Sequence, residues 1–93
     1  MSSNAKKEFF INNFSNLSIP IPWKYYVYIL INKYGFEMEN KKGSCRAFIR
    51  ENERFIADEP HGKGDKVVSK EDRKKAIRAL IRLGALRENG DET

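Results

Sequence analysis

Residues 41–64, KKGSCRAFIRENERFIADEPHGKG, read as a short β-hairpin followed by a loop that carries the one histidine of the chain. Ser44 to Arg50 alternate as one strand, Glu51 to Glu53 supply a turn, and Arg54 to Asp58 return as the next strand. With a side-chain period of two, Cys45, Ala47 and Ile49 share one face, expected to be the buried apolar one. Ser44, Arg46, Phe48 and Arg50 share the other. His61 falls just past the second strand, so the Gly43-Ser44 bend and the imidazole are expected to meet on one solvent-open surface.

Upstream of the hairpin, Phe36 to Asn40 alternates as a half-buried strand, which makes a three-stranded antiparallel meander. Before it, Trp23, Tyr26, Val27, Leu30, Ile31 and Tyr34 recur with helical spacing, and Gly35 stops the helix. Pro20 and Pro22 hold Ile19 and Ile21 extended, and a helix is expected over residues 2–14 with Phe10, Phe14 and Leu17 on one stripe. Downstream, Ser69-Lys70-Glu71-Asp72 opens a helix that buries Ala76, Ile77, Leu80 and Ile81 and ends at Gly84. Lys70, Lys74, Arg78 and Arg82 step along it as a basic ridge. The fold class is therefore α+β, a three-stranded antiparallel sheet with helices packed on one face. Residues 1–22 form an N-terminal helix and Pro-containing linker, 23–87 the main domain, and 88–93 an acidic disordered tail.

At 93 residues the chain makes one small domain. A single cysteine allows no internal disulfide, the first twenty residues have no signal-type apolar core, and no apolar run approaches the roughly 20 residues of a membrane span. A soluble cytoplasmic protein with no membrane partner is expected. Net charge is +5, and residues 61–87 carry 9 Lys and Arg against 3 Asp and Glu. That local excess suits a polyanion such as nucleic acid, although lysine-rich solvated helices are common in small domains.

Trp23, Gly35-Phe36, Gly43-Ser44-Cys45-Arg46-Ala47-Phe48, Pro60-His61-Gly62 and the closing Leu80 to Gly84 occur in an order and at distances that resemble the HicA toxin family. The similarity covers most of residues 23–86. That family comprises small RNA-cleaving proteins of bacterial toxin-antitoxin pairs, with a fold like the double-stranded-RNA-binding domain. The resemblance implies an αβββα domain, here with an extra N-terminal helix, that cleaves mRNA and is restrained by a HicB-like antitoxin. The chain departs from the family where Cys45-Arg46 stands in place of a histidine after Gly-Ser, and where Asp58 stands in place of the first histidine of a His-x-Pro-His pattern.

His61 is the candidate general acid or base, since an ordinary imidazole titrates near about 6.5 and exchanges protons at cellular pH. In metal-free RNA cleavage it would deprotonate a ribose 2′-hydroxyl or protonate the departing 5′-oxygen. Asp58 could orient the ring, Arg46 could stabilise charge on the phosphate, and Ser44 could add a hydroxyl contact. The alternative is that His61 is a polar loop residue. Cys45 as a nucleophile is weighed against a small buried core residue, which its neighbours favour. Gly43 either lets a phosphate approach the main chain or makes an ordinary turn. Lys41, Lys42, Arg50, Lys63, Lys66, Lys70, Lys74 and Arg78 are candidate phosphate contacts. One cysteine and one histidine make no zinc set, so no metal and no cofactor are expected. Three functions follow: a metal-independent endoribonuclease toxin using His61, a non-catalytic RNA-binding module of the same fold, and a domain docking an acidic protein.

Overall fold

A computed structural model describes residues 3–62, 64 and 66–91. The elements are α1 (Ser3–Asn12), α2 (Trp23–Tyr28) prolonged by a wider helical turn over Ile29–Lys33, β1 (Glu37–Asn40), β2 (Cys45–Arg50), β3 (Glu53–Asp58) and α3 (Lys70–Arg82). The strands form one antiparallel sheet in the order β1-β2-β3, with Met38 opposite Phe48 and Phe48 opposite Phe55. This is the expected α+β class. Among the described residues no helix is long and apolar enough to cross a membrane.

The core is a run of aromatic rings. Phe14 stacks on Tyr26 (5.9 Å between centroids), Tyr26 meets Phe48 edge-on (5.6 Å), Phe48 stacks on Phe55 (5.4 Å), and Phe55 meets Phe36 edge-on (5.5 Å). Each contact adds about 0.5–1.5 kcal/mol beyond its buried area, and together they join the N-terminal segment, α2, β2, β3 and the residue that leads into β1. Ala76, Ala79 and Leu80 close the core from α3.

The face of β2 follows the expectation only in part. Ala47 is fully buried, but Cys45 and Ile49 beside it on that face are only half-buried, whereas Phe48, on the opposite face, is fully buried against the helices. Phe48 offers more apolar area than cysteine or alanine and has three aromatic partners, Trp23 and Tyr26 on α2 and Phe55 on β3. The arginines that share its face avoid burial because their long side chains reach carbonyls at the rim. Arg50 donates to the Tyr34 carbonyl (2.9 Å), and Arg46 to those of Gly43 and Cys45 (both 2.9 Å). Cys45 is thus not a core residue.

The helix beginning at Trp23 also departs from a simple 3.6-residue period. Its last turn closes from the Tyr34 amide to the Ile29 carbonyl, five residues back. That widening turns Ile29 and Leu30 into the core and leaves Ile31 37 % exposed, where the regular spacing had placed Ile31 inside. The stop at Gly84 is as read: with φ at +79° it lets Ala85 donate to the Leu80 carbonyl and Gly84 to that of Ile81, which closes α3. Residues 88–91, expected within a disordered tail, instead turn back, and Ser15 donates its hydroxyl to the Gly90 carbonyl at 2.8 Å.

The N-terminal segment is fixed by a residue that the basic ridge of α3 had obscured. Arg73 is 1 % exposed, and its guanidinium donates to the carbonyls of Phe14 (2.7 Å), Asn16 (2.9 Å), Asn13 (3.3 Å) and Ile19. Among the described residues no carboxylate pairs with it. Burial lowers its pKa from the ordinary value, and four carbonyl dipoles take the place of water around the charge. Replacing Arg73 by Met would leave those carbonyls without a donor. Urea denaturation should show a loss of about 3 kcal/mol or more, whereas Arg78→Met, at an exposed position, should stay within about 0.5 kcal/mol.

Candidate functional site

Three pieces of chain converge where β3 ends. Ser44, at the end of the β1–β2 turn, accepts the Glu59 amide on its carbonyl (2.9 Å), which carries the pairing of β2 and β3 one step past Cys45 and Asp58. The Asp58 amide donates to the carboxylate of Asp72 (3.0 Å), so the end of β3 is tied to the first turn of α3. Asp72 in turn has its own amide capped by the Ser69 hydroxyl (3.1 Å), the N-cap expected from the sequence. The result is an open depression of about 680 Å³ with Ser44, Asp58 and His61 on its wall.

The charges around this depression are mostly matched. Glu59 pairs with both Arg46 (3.3 Å) and Lys66 (3.4 Å). Glu71 pairs with Lys74 (3.7 Å), and the nearly buried Asp72 with Lys75 (3.5 Å), which also donates to the Ile56 carbonyl. Among the described residues, the titratable side chains lining the depression with no ion-pair partner are Asp58 and His61, both exposed. No described side chain hydrogen-bonds the imidazole, and no group of three or more His, Cys, Asp or Glu is placed to hold a metal ion.

Deeper in, the Tyr26 hydroxyl donates to the Asp72 carbonyl (2.8 Å). Burial, and then the Asp72 charge, push its pKa far above the ordinary phenol value, so it stays a neutral donor. The depression therefore rests on a buried hydrogen-bonded floor.

The other expected contacts divide into separate groups. Lys41, Lys42 and Gly43 lie in the β1–β2 turn, where Lys41 pairs with Glu39 at 3.0 Å and Lys42 is exposed. Gly43 has φ at +66° with open space where a Cβ would stand, so its requirement is the turn conformation. Arg50 is at the opposite end of β2, held by the Tyr34 carbonyl and by Glu51 (3.3 Å). Lys70 is exposed at the start of α3, while Lys74 and Arg78 border a different depression beside Ser15 and Leu17. Arg82, the end of the ridge, is bound to Glu53 at 2.8 Å, which raises its pKa through the hydrogen bond. Lys63 lies outside the described residues.

The pairing of Glu59, Asp72 and Lys75 was not read from the sequence. One signal for α3 was available: Arg73, Ala76 and Leu80 stand at i, i+3, i+7, which puts a charged residue on the apolar stripe. Comparison with protein-family models, with curated proteins and with solved structures returned no match.

Because Glu59 pairs with two cations on a half-buried rim, Glu59→Gln should release both. Binding to a polyanion such as heparin, followed by salt elution, should strengthen several-fold, with stability changed by no more than about 1 kcal/mol.

Proposed function

We propose that this chain is a metal-independent endoribonuclease of HicA-like type, the toxin of a toxin-antitoxin pair acting on mRNA, with His61 as general acid or base. The observation that carries the reading is the pairing pattern at the depression. An unpaired imidazole and an unpaired carboxylate share one open wall with a serine hydroxyl, while the other acidic groups there are neutralised.

In the reaction, the ribose 2′-hydroxyl gives up its proton and its oxygen bonds to the adjacent phosphorus. The bond from phosphorus to the 5′-oxygen breaks, and that oxygen takes a proton, leaving a cyclic phosphate and a 5′-hydroxyl. His61 carries one of these two proton transfers and solvent the other. Asp58, on the same wall, would orient the ring once substrate is bound. Arg46, by exchanging its contact with Glu59 for the phosphate, stabilises the developing negative charge. An acidic HicB-like antitoxin would restrain the enzyme by covering His61 and its cationic surroundings.

A second reading, a non-catalytic RNA-binding module of the same fold, is favoured by two details. The imidazole has no hydrogen-bond partner among the described residues, and Arg46 has Glu59 and two carbonyls already in place. Incubating RNA with the protein in the presence of EDTA separates the readings. The first expects cyclic-phosphate products that fall at least about a hundredfold in His61→Ala. Binding without products, unchanged in His61→Ala, would select the second.

Both readings make the phosphate backbone the main contact. With three or four phosphates neutralised by groups such as Lys41, Lys42, Lys66 and Lys70, affinity for single-stranded RNA should fall about twenty- to fiftyfold between about 50 and 200 mM salt. Fluorescence anisotropy across that range measures it, and a nearly flat response would contradict phosphate contact.

A further inference from the structure

α1 and the start of α2 enclose a groove of about 350 Å³ whose lining does not include His61. Its apolar lining is mainly aromatic. Phe10 lies against Tyr25 with centroids 4.8 Å apart, Phe9 meets Phe10 edge-on at 5.4 Å, and Phe9 remains 49 % exposed. A large ring left half in water on an otherwise weakly amphipathic helix has no role in the core. Among the described residues its charged lining is cationic: Lys6 and Lys24 border the groove and no carboxylate does. The Lys24 ammonium sits over the Tyr25 ring at 5.3 Å.

This groove is not isolated from His61. Pro22 and Lys24 also line a neighbouring depression that includes Trp23, Lys66 and Glu59. Glu59 then lines the His61 depression. The three hollows therefore share walls in sequence, from Phe9 through Lys24 and Lys66 to His61, along one path. The path is held rigid where the Trp23 amide donates to the Lys66 carbonyl (2.6 Å) and the Val68 amide to that of Ile21 (3.0 Å).

We propose that the groove between α1 and α2 is a stacking subsite for an unpaired base of single-stranded RNA whose backbone runs along this path to His61. Exposed aromatic faces flanked by lysines are what a single strand requires: the ring takes a base face without regard to sequence, and the ammonium groups take the adjoining phosphates. An apolar protein segment would have no use for cations on both rims that, among the described residues, pair with no carboxylate. The subsite rests on the reading of the chain as RNA-directed, and it extends that reading from one scissile phosphate to a strand of several nucleotides.

The test uses a single-stranded oligoribonucleotide that is 2′-O-methylated, so that it cannot be cleaved through its 2′-hydroxyl, and that carries 2-aminopurine. Fluorescence of the base reports stacking, and anisotropy reports affinity. Binding to the unchanged protein should quench the base. Phe9→Leu, which keeps an apolar side chain at an exposed helical position, should lose the quenching and bind about tenfold more weakly, while Phe9→Tyr retains both. Equal quenching and affinity in Phe9→Leu would overturn the subsite, leave the RNA reading standing, and point to an apolar protein partner for the groove. If the unchanged protein fails to bind the oligonucleotide at all, both the subsite and the RNA reading fall.

Discussion

A guanidinium that pairs with no carboxylate among the described residues holds the N-terminal segment to the rest of the molecule. Arg73 gathers carbonyls from Asn13, Phe14, Asn16 and Ile19, the stretch where α1 has ended and no regular partner exists for the chain. Backbone acceptors left dry cost free energy comparable to a lost hydrogen bond, so one buried cation that satisfies four of them fixes the backbone of a segment whose one core side chain is Phe14. Once residues 13–19 are fixed, Ile21 must enter the core, and Pro22 and Trp23 come alongside Lys66 to Val68. The surface between His61 and α1 follows from that placement.

The residue beside Arg73 does the complementary work. Asp72 accepts the Asp58 amide and pairs with Lys75, while its carbonyl receives the Tyr26 hydroxyl. Consecutive residues on α3 thus hold the two flanks of the fold, Arg73 the N-terminal segment and Asp72 the end of β3. The loop bearing His61 springs from the second of these anchors. The proposed chemistry depends on this rigidity, because proton transfer to a strand of RNA requires the imidazole and the phosphate contacts to keep their relation.

The meander, the helix starting at Trp23, the stop at Gly84 and the cap at Ser69 were legible because each has a local signature: alternation, helical spacing, a left-handed glycine, a hydroxyl before acidic residues. The face of β2 was not. Period two fixes which residues share a face but not which face meets the helices, and here Phe48 took that place through contacts with rings on other elements, while Cys45 and Ile49 were left half-buried. Ile31 was misplaced because a widened helical turn leaves no mark in the spacing of apolar residues. At the candidate site, Ser44, Asp58 and His61 were named from the sequence and line one depression. The engagement of Arg46, Arg50 and Lys66 by carboxylates and carbonyls was not legible, since it depends on how strand ends and loops fold back on one another rather than on residue spacing.

Backbone amide shifts, recorded by nuclear magnetic resonance while a cleavage-resistant single-stranded RNA is titrated in, test most directly whether the path from His61 to α1 faces RNA. The account predicts perturbations concentrated in Trp23 to Tyr25, in Asp58, Glu59 and His61, in Lys66 to Ser69 and around Phe9. Perturbations confined to the outer sheet face at Glu37, Glu39, Ile49 and Arg54, or to the Lys74 and Arg78 side of α3, would contradict it.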